Sequence, residues 1–180
     1  MTAIDPALRD LIAFSLAAIL GASAAMKFSD VAMFESSLAN YRLLPRALER
    51  PFAYLVPMGE GACAAGILFA ATRSAAAAGL LLLLAIFTGA IAINLVRGRA
   101  NIDCGCFGPM LHQPLSGWLI ARNVALMALA TALLIPAGIR SLTMLDIVTI
   151  ILGAATVVAL YAAANVALGN APVTRMLEST

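Results

Sequence analysis

Charge is what this sequence has least of. Asp, Glu, Lys and Arg together make up 11% of its 180 residues, against 63% hydrophobic, and mean hydropathy is +0.99. That balance excludes a soluble globular domain, which carries about 25% charged residues. Histidine occurs once and cysteine three times, too few and too irregularly placed to favour a four-ligand zinc site. Net charge is only +2, and no basic patch is interleaved with aromatics, so nothing marks a nucleic-acid partner. Repeats and low-complexity segments of functional weight are also missing; the alanine run at 75–78 reads as helix.

The apolar residues fall in five runs, at 8–26, 52–71, 74–96, 115–135 and 147–168. Each approaches or reaches the ~20 residues that cross a bilayer. The third has no charge between Arg73 and Arg97. The expected fold is therefore all-α, a multi-pass helical membrane bundle of about five transmembrane helices, in a single integral membrane domain over 1–180. Ala22-Ser23-Ala24 has the form of a signal-peptide cleavage site. Arg9 is offset by Asp5 and Asp10, however, and Pro6 suits the first turn of a retained helix. Retention is the expectation.

Between the first two runs, Phe28, Val31, Phe34, Leu38 and Tyr41 recur at helical spacing, with Ser29, Asp30, Glu35 and Asn40 off the stripe. The pattern predicts an amphipathic helix in the interface or folded against the bundle, with Pro45 and Pro51 separating it from the second span. The turn at Thr72-Arg73-Ser74 is short enough to make spans two and three an antiparallel hairpin. Alternation then puts loops 27–50 and 97–114 on one side with the C-terminus. The N-terminus and the turns at Arg73 and Arg140 take the other. The cysteine side holds seven cations (Lys27, Arg42, Arg46, Arg50, Arg97, Arg99, Arg175) and the opposite side three (Arg9, Arg73, Arg140). The positive-inside rule votes for a cytoplasmic cysteine loop; persistent disulfide chemistry favours the periplasm. The orientation stays open, with chemistry tilting it to the periplasmic face.

Three features carry chemistry. Glu60 lies eight residues into the second span, roughly 12 Å along the helix axis, and an intramembrane carboxylate is costly enough to mark a functional position. The bland alternative is a paired structural carboxylate, and Lys27, closing the first span on the same side, is its expected partner. Cys63 follows Glu60 by three positions on the same helix face, where a single buried cysteine is more often packing than a redox thiol. Pro57 and Gly59 would loosen that helix. Arg122, within the fourth span, reads as a snorkelling cation or one pairing with a loop residue such as Asp103. The third feature is Cys104-Gly105-Cys106-Phe107-Gly108-Pro109 in the second hydrophilic loop, beside His112. Paired, accessible thiols usually owe their presence to reactivity. The motif reads as a reversible disulfide, a metal clip or a tight turn. A ring closed across one residue is strained and exchange-prone, and Gly105 would supply its backbone freedom.

The string Lys27-Phe28-Ser29-Asp30, then Phe34, Leu38 and Tyr41-Arg42-Leu43-Leu44-Pro45, Glu60 in the next span, and Cys104-Gly105-Cys106-Phe107-Gly108 after the third, resembles the MauE family. These are methylamine utilization membrane proteins grouped with the DoxX-like redox-associated membrane proteins. The resemblance covers about 10–130; the Lys…Tyr-x-Leu-Leu-Pro…Glu pattern is shared among DoxX-like proteins, and Cys-Gly-Cys-Phe-Gly is the more specific marker. It implies a DoxX-like core of four helices plus one, in the cell (inner) membrane. It also implies a role in processing, export or maturation of the small (β) subunit of methylamine dehydrogenase. That client is periplasmic, rich in disulfides and carries tryptophan tryptophylquinone. The usual companion is a thioredoxin-like MauD-type protein.

Taken together, these readings make the chain a membrane accessory of that maturation, with Cys104 and Cys106 as redox pair, Cys63 as a weaker thiol candidate, and Lys27 and Glu60 shaping a polar interior. No cofactor is identifiable beyond a redox-active disulfide, and no metal is expected. Two competing readings are a non-catalytic assembly or export scaffold, and a DoxX-like redox protein serving another pathway. A small-molecule transporter is disfavoured by the absence of paired broken helices.

Overall fold

The computed structural model describes residues 3–105 and 113–169. Cys106, Phe107-Gly108-Pro109 and His112 lie outside the described residues. Six helices follow in order: α1 (Pro6–Ser29), α2 (Val31–Tyr41), α3 (Arg46–Leu68), α4 (Arg73–Val96), α5 (Gly117–Ala132) and α6 (Met144–Gly169). No strand occurs among the described residues. A helix stands at each of the five apolar runs, and α2 is the amphipathic helix expected between the first two. α1, α4 and α6 are long and apolar enough to cross a membrane, and α5 is a shorter apolar helix. The protein is an all-α, multi-pass helical membrane bundle.

Local chemistry sets the helix ends. Asp5 caps α1 by accepting from the Ala7 amide, with Pro6 at the first helical position, where a missing N–H costs nothing. The helix continues through Ala22-Ser23-Ala24. Asp30 ends α1 and caps α2 by accepting from Met33 N at 2.9 Å, so one side chain makes the corner that folds α2 back. α3 begins at Arg46, earlier than the sequence suggested, and runs through both Pro51 and Pro57. Pro57 is buried and has no N–H for the carbonyl one turn earlier, a loss that helices packed within membrane bundles tolerate.

α1 is the central element: it packs chiefly on α3 and α6, while α4 packs on α3 and α5. Its face Ile12, Leu16, Ile19 and Leu20 joins Ala64 and Ile67 of α3, Leu80 and Leu84 of α4, and Leu126 of α5 in the main core. The hairpin of α3 and α4 is tight. A Cβ on Gly66 would fall 2.8 Å from Ala76 Cβ, so the helices approach as only a glycine permits.

Two polar clasps close one end of the bundle. Arg73 is buried, ion-paired to Asp10 at 2.7 Å and donating to Ile67 O. Arg140 bridges Asp5 and Asp146, and its hydrogen bond holds the Asp5 carboxyl below the ordinary carboxylate range. The N-terminus, the Arg73 turn and the Arg140 turn thus gather together, as helix alternation requires. At the other end α2 meets the 97–105 segment.

Candidate functional site

α1 brings Lys27 to its last turn, and α3 brings Glu60 to the same level. Lys27 Nζ stands 2.7 Å from both Glu60 oxygens and 2.7 Å from Ser23 Oγ, and Ser23 Oγ donates to Glu60 Oε2 at 3.3 Å. All three ammonium protons are therefore directed at oxygen. The pair is enclosed, with side chains 2% and 6% exposed. The rings of Phe34 in α2 and Phe87 in α4 lie 5.5 and 5.7 Å from Nζ, within cation–π range. An ammonium that has lost its water is thus held by a carboxylate, a hydroxyl and two π-faces.

Above this pair lies a cavity of about 200 Å³ between α2, α3 and α4, with Lys27, Phe34, Tyr41, Phe52, Phe87 and Cys104 in its wall. The described start of the cysteine loop meets it at Cys104. Asp103 and Pro114 form an isolated antiparallel bridge, Cys104 N donates to Gln113 O at 2.9 Å and Leu115 N to Ile102 O at 3.1 Å. Tyr41 of α2 donates its hydroxyl to Cys104 O at 3.4 Å. Gly105 adopts φ +67, and a Cβ there would meet Ser37 Cβ at 2.9 Å and Phe34 Cδ2 at 3.3 Å. Both the left-handed backbone and the contact with α2 call for glycine. Gly105 thereby seats its segment on α2; the ring expected across it involves Cys106, outside the described residues.

The loop does not present Cys104 to the surface, as paired accessible thiols would require. Cys104 is 5% exposed and packs with Ile91, Leu115 and Leu119, because the 102–104 and 113–115 segments pair and tuck it beneath α2. Cys63 is half-buried and belongs elsewhere. It packs against the main core, where a Cβ on Gly79 of α4 would fall 3.2 Å from its Sγ. Cys63 and Cys104 thus stand in different clusters.

Arg122 departs from the first of its two sequence readings, the snorkelling cation. It does not snorkel: it is 6% exposed and donates to Asn123 Oδ1 and to Asn165 Oδ1 of α6. Asn123 Nδ2 reaches Thr88 Oγ1 in α4 at 3.2 Å, and Gln113 Nε2 donates to Asn165 O. Asp103 accepts from Gln113 N instead. This polar track across α4, α5 and α6 was missed in the sequence. Its signal was available: Asn123 and Asn165 each interrupt an apolar helix and are buried, and such amides inside membrane helices bond across interfaces.

A buried lysine–carboxylate pair beside an apolar cavity with Cys104 in its wall, within an apolar helical bundle, defines a multi-pass membrane protein with a polar centre in its interior. A family profile described as methylamine utilisation protein MauE matches residues 5–136. Relatives called methylamine utilization protein MauE are similar over most of both chains. That of Paracoccus denitrificans is 37% identical over 152 residues, 83% of this chain and 81% of its own. That of Methylophilus methylotrophus is 33% identical over 180 residues, 97% of this chain and 93% of its own. That of Methylorubrum extorquens is 36% identical over 134 residues, 73% and 72% of the two chains. No solved structure matches significantly. The chain belongs to the MauE family of methylamine utilization proteins.

Proposed function

We propose that this protein is a membrane accessory in the maturation or export of the methylamine dehydrogenase small (β) subunit, and that Cys104 and Cys106 supply thiol–disulfide chemistry to that process. Family membership supports the pathway. The observation that carries the chemistry is the seating of Cys104: its backbone is fixed by Gln113 and Tyr41, and its residue forms wall in a cavity over a buried ion pair. A loop with only a docking role has no need of that construction.

The burial of Cys104 assigns roles within the pair. An enclosed sulfur cannot be reached by a bulky protein thiolate, so Cys106 is the sulfur of the oxidised pair that a thiol of a thioredoxin-like partner of the MauD type attacks; Cys104 leaves as the thiol, and the partner's second thiol resolves the mixed disulfide. Cys63, half-buried against the main core, is packing. Lys27 and Glu60 hold α1 and α3 together beneath the site. The inner membrane with the cysteine loop toward the periplasm is the placement at which such a pair stays oxidised.

Serine replacement tests the reading. Cys104→Ser should lose client maturation and accumulate a mixed disulfide through Cys106, seen as a reducible higher-mass band; Cys106→Ser should lose maturation without that band. Full activity of the double Cys104→Ser, Cys106→Ser variant would refute the redox role and leave an assembly scaffold.

A further inference from the structure

The cavity between α2, α3 and α4 is apolar, and the few polar groups in its wall are already engaged. The Lys27 ammonium is taken by Ser23 and Glu60, the Tyr41 hydroxyl donates to Cys104 O, and the Ser37 hydroxyl donates to Met33 O. Whatever enters must therefore be hydrocarbon over the part that is enclosed. Access is from the bilayer, because Leu43, Phe52 and Ile86 of the wall are exposed on an apolar, membrane-spanning bundle. On α4 the wall is a single helical stripe, Leu83, Ile86, Phe87, Ala90 and Ile91. From its first residue to its last that stripe covers about 12 Å of helix axis. It begins at the middle of α4 and ends near the last turn. The hydrocarbon of one leaflet is about 15 Å deep. The cavity thus has the length and direction of one acyl chain.

Charge stands at the end of the cavity nearest the membrane face. Leu43 and Leu44 of the wall lie in the corner between α2 and α3. That corner, residues 42–50, holds Arg42, Arg46 and Arg50 against one carboxylate, Glu49. All three arginines are exposed, and none makes an ion pair among the described residues. Clustered cations at the end of a membrane span attract lipid phosphate, and their excess over Glu49 disfavours a head group that carries its own cation.

We infer that this cavity binds one anionic phospholipid, with an acyl chain laid along the α4 stripe and the phosphate held by Arg42 and Arg46. The inference needs only that the bundle spans a membrane, and it is independent of the thiol chemistry. The bound chain fills the space beneath α2 and covers the wall to which Cys104 belongs, so the lipid fastens α2 to the α3–α4 hairpin.

Photolabelling tests it. Full-length protein is placed in phosphatidylcholine vesicles containing a trace of phosphatidylglycerol with a diazirine in its acyl chain, irradiated, and mapped by peptide mass spectrometry. Label should concentrate on the α4 stripe rather than on the exposed apolar face of α6, and unlabelled phosphatidylglycerol should displace it where added phosphatidylcholine does not. Ala90→Phe projects a ring into the cavity, and the double variant Arg42→Gln, Arg46→Gln removes the phosphate contacts. Each, checked for an unchanged melting profile, should need about tenfold more phosphatidylglycerol for half-saturation of the stripe. In wild type, label spread evenly over α4 and α6 overturns the site. Equal displacement by phosphatidylcholine or by oleate, or an unchanged half-saturation in the arginine variant, overturns the anionic phospholipid.

Discussion

Breaking the ion pair between Lys27 and Glu60 should be the most damaging single change in the membrane interior. Glu60→Leu leaves the ammonium with Ser23 as its one remaining oxygen partner at hydrogen-bonding distance and two rings beside it, in a site where Lys27 is 2% exposed and water cannot compensate. Lys27→Met leaves a carboxylate 6% exposed with Ser23 as donor. Removing one member of such a pair costs about 3–5 kcal/mol, and for a chain of this size that corresponds to a fall of about 6–20 °C in Tm. Glu60→Gln keeps shape and one acceptor and should cost less, about 1–3 kcal/mol. The double variant Lys27→Met, Glu60→Leu removes both buried charges and replaces them with apolar groups of similar length. It should be more stable than either single variant. The assay is thermal unfolding of detergent-purified protein, followed by loss of the monodisperse peak on size exclusion. Additive losses in the double variant would refute the reasoning, because independent sites add and coupled charges do not.

Gly105→Ala should unseat the loop: the left-handed backbone alone costs about 1–2 kcal/mol, and its Cβ would press on Ser37 at 2.9 Å. In a background lacking the other two cysteines, Cys104 should then react with maleimide several-fold faster than with Gly105 intact; an unchanged rate would show that α2 does not shield it. Reporter fusions after Arg50 and Pro109 should mark one membrane face and those after Arg73 and Arg140 the other, since the bundle gathers the Arg73 and Arg140 turns at one end. Opposite readings at Arg50 and Pro109 would disprove the five-span topology.

The class of the protein was legible in the sequence because it depends on composition along the chain. Long apolar runs need no tertiary information to be recognised as helices, since in hydrocarbon the backbone must bond within its own segment. The amphipathic α2 was legible for a related reason: its polar and apolar residues alternate at the helical period, so its two-sided environment is written into its spacing. Lys27 and Glu60 stood out because charge is rare in such segments, and rarity made each the other's natural counter-ion. What depended on crossing between helices was not legible. Cys104 looked like a loop thiol, and only the pairing of 102–104 with 113–115 and the approach of α2 enclosed it. Gly105 looked like ring freedom; its seat against α2, where an added Cβ would fall 2.9 Å from Ser37 Cβ, could not be read along the chain. Arg122 could have reached the interface on its own flexible stem; that it turns inward was decided by Asn165, 43 positions away in α6. Periodicity fixes which face of a helix is apolar, but the partner each polar atom meets is set by how helices distant in sequence come to lie side by side.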